Sequence, residues 1–243
     1  MQSSTEVKIY KNPGKVSKAI AREIKNLSLQ TGSGVLNIAL SGGRTPELLF
    51  AIMVEKHKDI IPWDKLHFWW VDERCVHPED EDSNYKTAKE LLFSYINIPG
   101  ENIHRIKGEN DPDEEAFRYS AEIKQNLPSA RGLPVFDLIL LGMGDDGHTA
   151  SIFPDNLALI DDKKVCAVTE HPLSGMNRVT LTGSVIKNAR RIFFMVTGEN
   201  KAARISEIMS NDEAATLLPS YYIEPVDGIL IWFIDEAAAS LIN

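Results

Sequence analysis

Three short polar segments combine residue types that can do chemistry. In Gly142-Met143-Gly144-Asp145-Asp146-Gly147-His148 an imidazole stands two residues after a carboxylate, inside a glycine-rich loop. An imidazole flanked by a carboxylate can accept a proton near neutral pH, so His148 is the candidate general base and Asp146 its orienting partner. The alternative is that His148 caps a short helix over 149–153 and that Asp146 only forms a turn. His57, His67, His77, His104 and His171 have no comparable surround of glycines and carboxylates. A second segment, Ser41-Gly42-Gly43-Arg44-Thr45-Pro46, has the composition of an anion cradle. Gly42 and Gly43 let the backbone approach an oxyanion closely, a helix start supplies unpaired N–H groups, and Arg44 adds a planar fork of donors. Thr45 is expected at the N-cap and Pro46 at the first helical position. The lysine and spacing of a nucleoside-triphosphate loop are missing, so a phosphate group on a smaller molecule fits better. In the third segment, Asp72-Glu73-Arg74, charges follow directly on the apolar run Trp69-Trp70-Val71. Asp72 could hold sugar hydroxyls and Arg74 a developing oxyanion or a phosphate; a structural Asp72–Arg74 pair is the plainer reading. Cys75 reads as packing.

These segments need elements to hold them, and the periodicity supplies them. Apolar runs at 35–40, 67–71, 136–141, 165–168, 191–196 and 229–234 alternate with amphipathic stretches at 15–29, 46–54, 85–94, 114–126 and 201–209. That alternation predicts an α/β fold, a mainly parallel sheet flanked by helices on both faces in three Rossmann-like layers. Ligands of such sheets gather outside the carboxyl ends of the strands, where all three polar segments fall. The glycines of 142–147 also match a dinucleotide fingerprint. That reading fails on charge, because Asp145 and Asp146 would face a pyrophosphate, and on length, because Pro154 leaves little room for the long helix required.

Composition narrows the partners. The 243 residues carry 35 Asp and Glu against 26 Lys and Arg, a net charge of −9, and such a field repels nucleic acid. No apolar run approaches the ~20 residues of a membrane span, and the N-terminus lacks a signal-peptide core, so a cytoplasmic protein without membrane partners is expected. Two cysteines, Cys75 and Cys166, make no disulfide framework, and no cluster has metal-ligand spacing. One α/β domain over 1–243 is the expectation. Oligomeric state cannot be read from these features.

Together, Ser41 to Pro46, Asp72-Glu73-Arg74-Cys75-Val76 with Asp82-Ser83-Asn84-Tyr85, and the run from Phe136 through His148 to Pro154 resemble the 6-phosphogluconolactonase family. Arg178-Val179-Thr180-Leu181-Thr182 and Gly198-Glu199-Asn200-Lys201 are similar to further blocks of it, in the same order. The resemblance implies a fold shared with the glucosamine-6-phosphate deaminases, and cofactor-free hydrolysis of 6-phosphoglucono-δ-lactone to 6-phosphogluconate in the oxidative pentose phosphate pathway. For such a reaction the residues offer His148, Asp146, Arg74 and Asp72 as the catalytic set, with Arg74 or backbone N–H groups of 142–147 meeting the oxyanion. Gly42, Gly43, Arg44 and Thr45 would hold the phosphate, and the resemblance adds help from Arg178 and Lys201. The deaminases carry a glutamate before the proline of the histidine loop, as a proton relay, whereas this chain has Phe153 there. One departure from the family is His77, which precedes Pro78 where proline commonly follows directly. A deaminase and a non-catalytic sugar-phosphate sensor are the competing functions.

Overall fold

A computed structural model describes residues 3–242 of the chain, with the side chain of Arg44 outside what it describes. Its centre is a parallel sheet of seven strands: β1 (Ser4–Tyr10), β2 (Leu36–Leu40), β3 (Leu66–Trp70), β5 (Ile103–His104), β8 (Leu138–Leu141), β11 (Arg191–Val196) and β12 (Ile229–Asp235). In space they run β1-β12-β11-β8-β2-β3-β5. Every residue of β2 and β8 is buried, so both faces of the sheet are covered, as continuous apolar runs in parallel sheets require. The flanking helices are α1 (Pro13–Gln30), α2 (Arg44–His57), α3 (Asn84–Leu91), α4 (Pro112–Asn126), α5 (Gly183–Lys187) and α6 (Ala202–Ser210). Their starts are written locally. Asn12 accepts from the Lys15 N–H ahead of Pro13, Ser83 from Lys86, and Asp111 from Asp113 and Glu114 ahead of Pro112.

The α/β layering stands as expected, and the structure adds a second sheet. Strand β4 (Asp72–Arg74) pairs antiparallel with β10 (Asn177–Leu181), which pairs antiparallel with β9 (Cys166–Glu170). Two corrections follow. The run at 165–168 belongs to this small sheet, because a connection of only 171–176 can close a hairpin but not a parallel crossover. The charges after Trp70 do not simply leave a strand: after Val71 the chain enters β4. The Val71 N–H donates to the Leu40 carbonyl (2.8 Å) and its own carbonyl accepts from the Leu181 N–H (2.7 Å), so this residue joins both sheets. The remaining pair, β6 (Ser129–Ala130) and β7 (Leu133–Pro134), is a small hairpin. Strand β1 escaped periodicity because it is an exposed edge, with Val7 and Ile9 its apolar signal.

One buried cluster runs through the sheet and its helices, and each fully buried Ile, Leu or Phe in it contributes about 1.5–3 kcal/mol. A polar thread crosses it. The buried Asn37 Oδ1 accepts from Trp69 Nε1 (3.0 Å), and the Asn37 backbone N–H donates to Asp137 Oδ2 (2.9 Å). Replacing Asn37 by Leu removes the acceptor and leaves the indole N–H buried without a partner. Urea unfolding of N37L should show a loss of about 1–3 kcal/mol; an unchanged midpoint would mean that the indole finds another acceptor.

Candidate functional site

The exits of β2, β3 and β8 converge on a cavity of about 200 Å³. Its wall includes Ser41, Gly42, Gly43 and Thr45 from the first segment, Asp72 and Arg74 from β4, and Gly142, Met143, Gly144 and His148 from the loop after β8. Arg178 from β10 and Lys201 complete the cationic side. Residues a hundred positions apart therefore share one crevice. Asp146 stands behind His148 instead of on the wall.

The helix behind the anion cradle begins two residues earlier than its letters suggest. Gly43, with φ of 91°, is the N-cap of α2, and Arg44 rather than Pro46 is the first helical residue. Thr45 is thus inside the first turn, and a glycine cap leaves the first N–H groups without a side-chain acceptor. Ser41 Oγ donates to the Leu140 carbonyl (2.9 Å), tying this turn to β8.

The loop after β8 holds the dyad. His148 Nδ1 lies 2.6 Å from Asp146 Oδ1, and the His148 backbone N–H donates to the same oxygen (3.1 Å). Burial works to raise the Asp146 carboxyl, but the hydrogen bonds from His148 outweigh it and hold it at about 2. An ionised carboxylate there demands a proton on Nδ1, which leaves Nε2 with the lone pair. Gly144 makes this possible: a Cβ on it would stand 2.2 Å from His148 Nδ1 and 2.7 Å from Asp146 Oδ1. No helix occupies 149–153. Thr149 and Ile152 form an isolated bridge instead, Ala150 is held at φ of 52°, and helical turns begin only at Pro154. His148 therefore does not cap a helix over 149–153. Its ring packs against the buried Phe153, centroids 4.9 Å apart.

The neighbouring Asp145 has a separate task, pairing with Lys201 Nζ and accepting from Asn200 Nδ2 (2.7 Å). The expected Asp72–Arg74 pair is not what β4 builds. Asp72 Oδ2 accepts from Ser151 Oγ (2.6 Å) and stands 3.9 Å from an Arg178 terminal nitrogen, while Arg74 donates to the Asp82 carbonyl. Arg74 and Arg178 are direct cross-strand partners. Like charges placed so are unfavourable, and both Nε atoms are buried without a hydrogen-bond partner among the described residues. Burial, as the larger influence, and the charge of Arg74 make the Arg178 guanidinium less basic than usual, against the pull of Asp72. An anion in the cavity would relieve this crowding. The N–H groups of Gly144, Gly147 and His148 are already bonded within the loop, which makes those three poorer candidates for an oxyanion.

Periodicity gave no sign of Ser151 or Asn84, although both lie inside segments quoted above. Asn84 Nδ2 donates to the Asp72 carbonyl (2.9 Å), and its backbone N–H to the buried Glu73, which also accepts from Tyr85 and Ser83. Cys75 packs: burial, then the charge of Glu73, pushes its thiol up to about 11, so it stays protonated. Among the described residues no group of three His, Cys, Asp or Glu could hold a metal ion, and no helix is long and apolar enough to cross a membrane.

The dyad makes two outcomes measurable. In Gly144→Ala the new methyl must displace the His148 ring, so the hydrogen-bonded imidazole N–H resonance in proton NMR should vanish. Its persistence would mean that the loop yields elsewhere. Asp146 has an ordinary value of 3.8 that the fold lowers to about 2, so the stability it contributes is present above pH 3.8 and lost as pH falls through 2. The difference in urea midpoint between wild type and Asp146→Asn should accordingly shrink between pH 5 and pH 2.5; a constant difference would contradict the pairing.

A family model for glucosamine-6-phosphate isomerases and 6-phosphogluconolactonases matches residues 11–232. A 6-phosphogluconolactonase of Haemophilus influenzae is 43% identical over 208 residues, covering 85% of this chain and 88% of that one. A crystal structure of a protein called devB superposes with a TM-score of 0.93 at 41% identity, over 98% of this chain and 100% of that one. The 6-phosphogluconolactonase of Trypanosoma brucei superposes with a TM-score of 0.84 at 29% identity, over 98% of each.

Proposed function

The chain belongs to the family of glucosamine-6-phosphate isomerases and 6-phosphogluconolactonases, and we infer that it hydrolyses 6-phosphoglucono-δ-lactone to 6-phosphogluconate. The observation that carries this reading is the meeting of the His148–Asp146 dyad and the Gly42–Gly43 turn in one cavity. A phosphorylated ring lactone offers an anion at one end and an electrophilic carbonyl at the other.

The phosphate is held at the start of α2 by Gly42, Gly43 and Thr45, with Arg44, Arg178 and Lys201 adding charge. Remote binding of this kind positions the reacting carbon. His148 Nε2 takes a proton from water as the oxygen attacks C1, and the carbonyl electrons move onto its oxygen. Arg74 faces that oxyanion, a contribution on the order of 3 kcal/mol for a well-placed donor. Collapse of the tetrahedral species breaks the bond from C1 to the ring oxygen, which takes the proton back from His148. Asp146 stabilises the imidazolium between the two transfers, as an orienting carboxylate does in hydrolytic triads. Asp72, held by Ser151, accepts from sugar hydroxyls.

Two readings recede for physical reasons. A deaminase needs a proton relay where this chain has Phe153, a phenyl ring wholly buried against His148. A sensor has no use for a tautomer-fixing carboxylate. Both cysteines are free thiols, which suits a reducing compartment such as the cytoplasm.

Lactone hydrolysis, with spontaneous opening subtracted, should fall by about 10²–10⁴ in kcat for His148→Ala with little change in KM. Arg178→Ala should instead raise KM by about 10–100-fold, the worth of a charged hydrogen bond. Ammonia release from glucosamine 6-phosphate without lactone hydrolysis would overturn the assignment.

A further inference from the structure

Asn84 is a buried side chain, 4% exposed, on the wall of the cavity, to which the mechanism above gives no role. Its orientation is unambiguous. The group facing the Asp72 carbonyl at 2.9 Å must be a donor, so Nδ2 is there and Oδ1 is on the other limb of the amide. Oδ1 is buried and has no hydrogen-bond partner among the described residues. It lies against Gly42: a Cβ on that glycine would stand 1.7 Å from Oδ1, 2.1 Å from Cγ and 2.6 Å from Nδ2. The amide plate thus fills the place of the side chain that Gly42 lacks.

One face of this plate touches the turn assigned to the phosphate and one edge holds the strand that carries Asp72 and Arg74. Its root is equally constrained, since the Asn84 N–H donates to Glu73 Oε1 at 2.8 Å and Ser83 caps the helix that Asn84 begins. A buried amide with an unsatisfied acceptor is unfavourable, and a leucine of similar volume would fill the same space without that cost. What the leucine would lack is the directional bond that fixes the separation between Gly42 and Asp72.

Resting on the lactonase reading above, we propose that Asn84 is a positioning residue: its amide is a spacer that sets the distance between the phosphate turn and the β4 side chains acting on the lactone ring. Phosphate binding by itself does not use this distance. Turnover does, because a reacting carbon displaced by about 1 Å can cost on the order of 10²-fold in rate.

The test compares wild type with Asn84→Leu, which keeps the bulk and loses the bond, and with Gly42→Ala, whose methyl pushes the same amide from the opposite side. The readouts are kcat on 6-phosphoglucono-δ-lactone and the inhibition constant of inorganic phosphate. Asn84→Leu is expected to lower kcat by about tenfold or more while the phosphate constant stays within about twofold. Gly42→Ala, approaching from the turn, should lower kcat as well. An unchanged kcat in Asn84→Leu, or parallel losses in kcat and phosphate affinity there, would overturn the spacer role; if Asn84→Leu does not fold, the smaller Asn84→Ala is read on the same two constants, a lowered kcat with an unchanged phosphate constant supporting the role and any other result overturning it. A wild-type protein without lactone hydrolysis would instead defeat the underlying assignment.

Discussion

The site depends on one passage of backbone at Val71. Its N–H is bonded to Leu40 in the parallel sheet and its carbonyl to Leu181 in the antiparallel one, so the two peptide units that flank a single residue tie the two sheets together. Two of the three cations on the cavity wall follow from it. Asp72 and Arg74 come next in the chain, Arg178 is held opposite Arg74 by register, and all three are thereby set beside the carboxyl ends of β2 and β8. A parallel sheet alone would bring the phosphate turn and the histidine loop together, but it would leave the third wall open.

Electrostatically the cavity runs against the rest of the molecule. A chain of net charge −9 gathers Arg74, Arg178 and Lys201 on one small wall. Each nearby carboxylate has a defined partner: Asp145 holds Lys201, Asp146 holds His148, and Asp72 accepts from Ser151. The two aspartates that exclude a pyrophosphate from the loop are therefore the groups that orient its base and one of its cations. Arg74 and Arg178 remain incompletely satisfied as cross-strand neighbours, an arrangement that a bound anion relieves.

Much of this architecture was legible in the residues. The central strands are near-continuous apolar runs, broken only by Asn37 in β2 and His67 in β3, because both of their faces are buried, and burial of that kind writes itself into composition. The starts of the five longer helices were legible to within two residues, although a backbone glycine, Gly43, caps α2 in place of Thr45, and the five-residue α5 left no sign. Short or exposed strands left no such trace: β1 is half polar at the sheet edge, and β4 is written entirely in charged residues because its partner, β10, and not its hydrophobicity, makes it a strand.

By itself the sequence determined the chemistry available: an imidazole two residues from a carboxylate, a glycine turn ahead of a helix, and enough apolar periodicity to bring strand exits together. Hydrogen bonds between residues near in the chain obey local geometry, so the His148–Asp146 contact was foreseeable. Only the tertiary structure decided which cation faces which carboxylate, because Asp72 with Arg178, Asp145 with Lys201 and Asn84 against Gly42 join segments about 40 to 110 positions apart. Such pairings are set by strand order and register, and those emerge when the whole core packs.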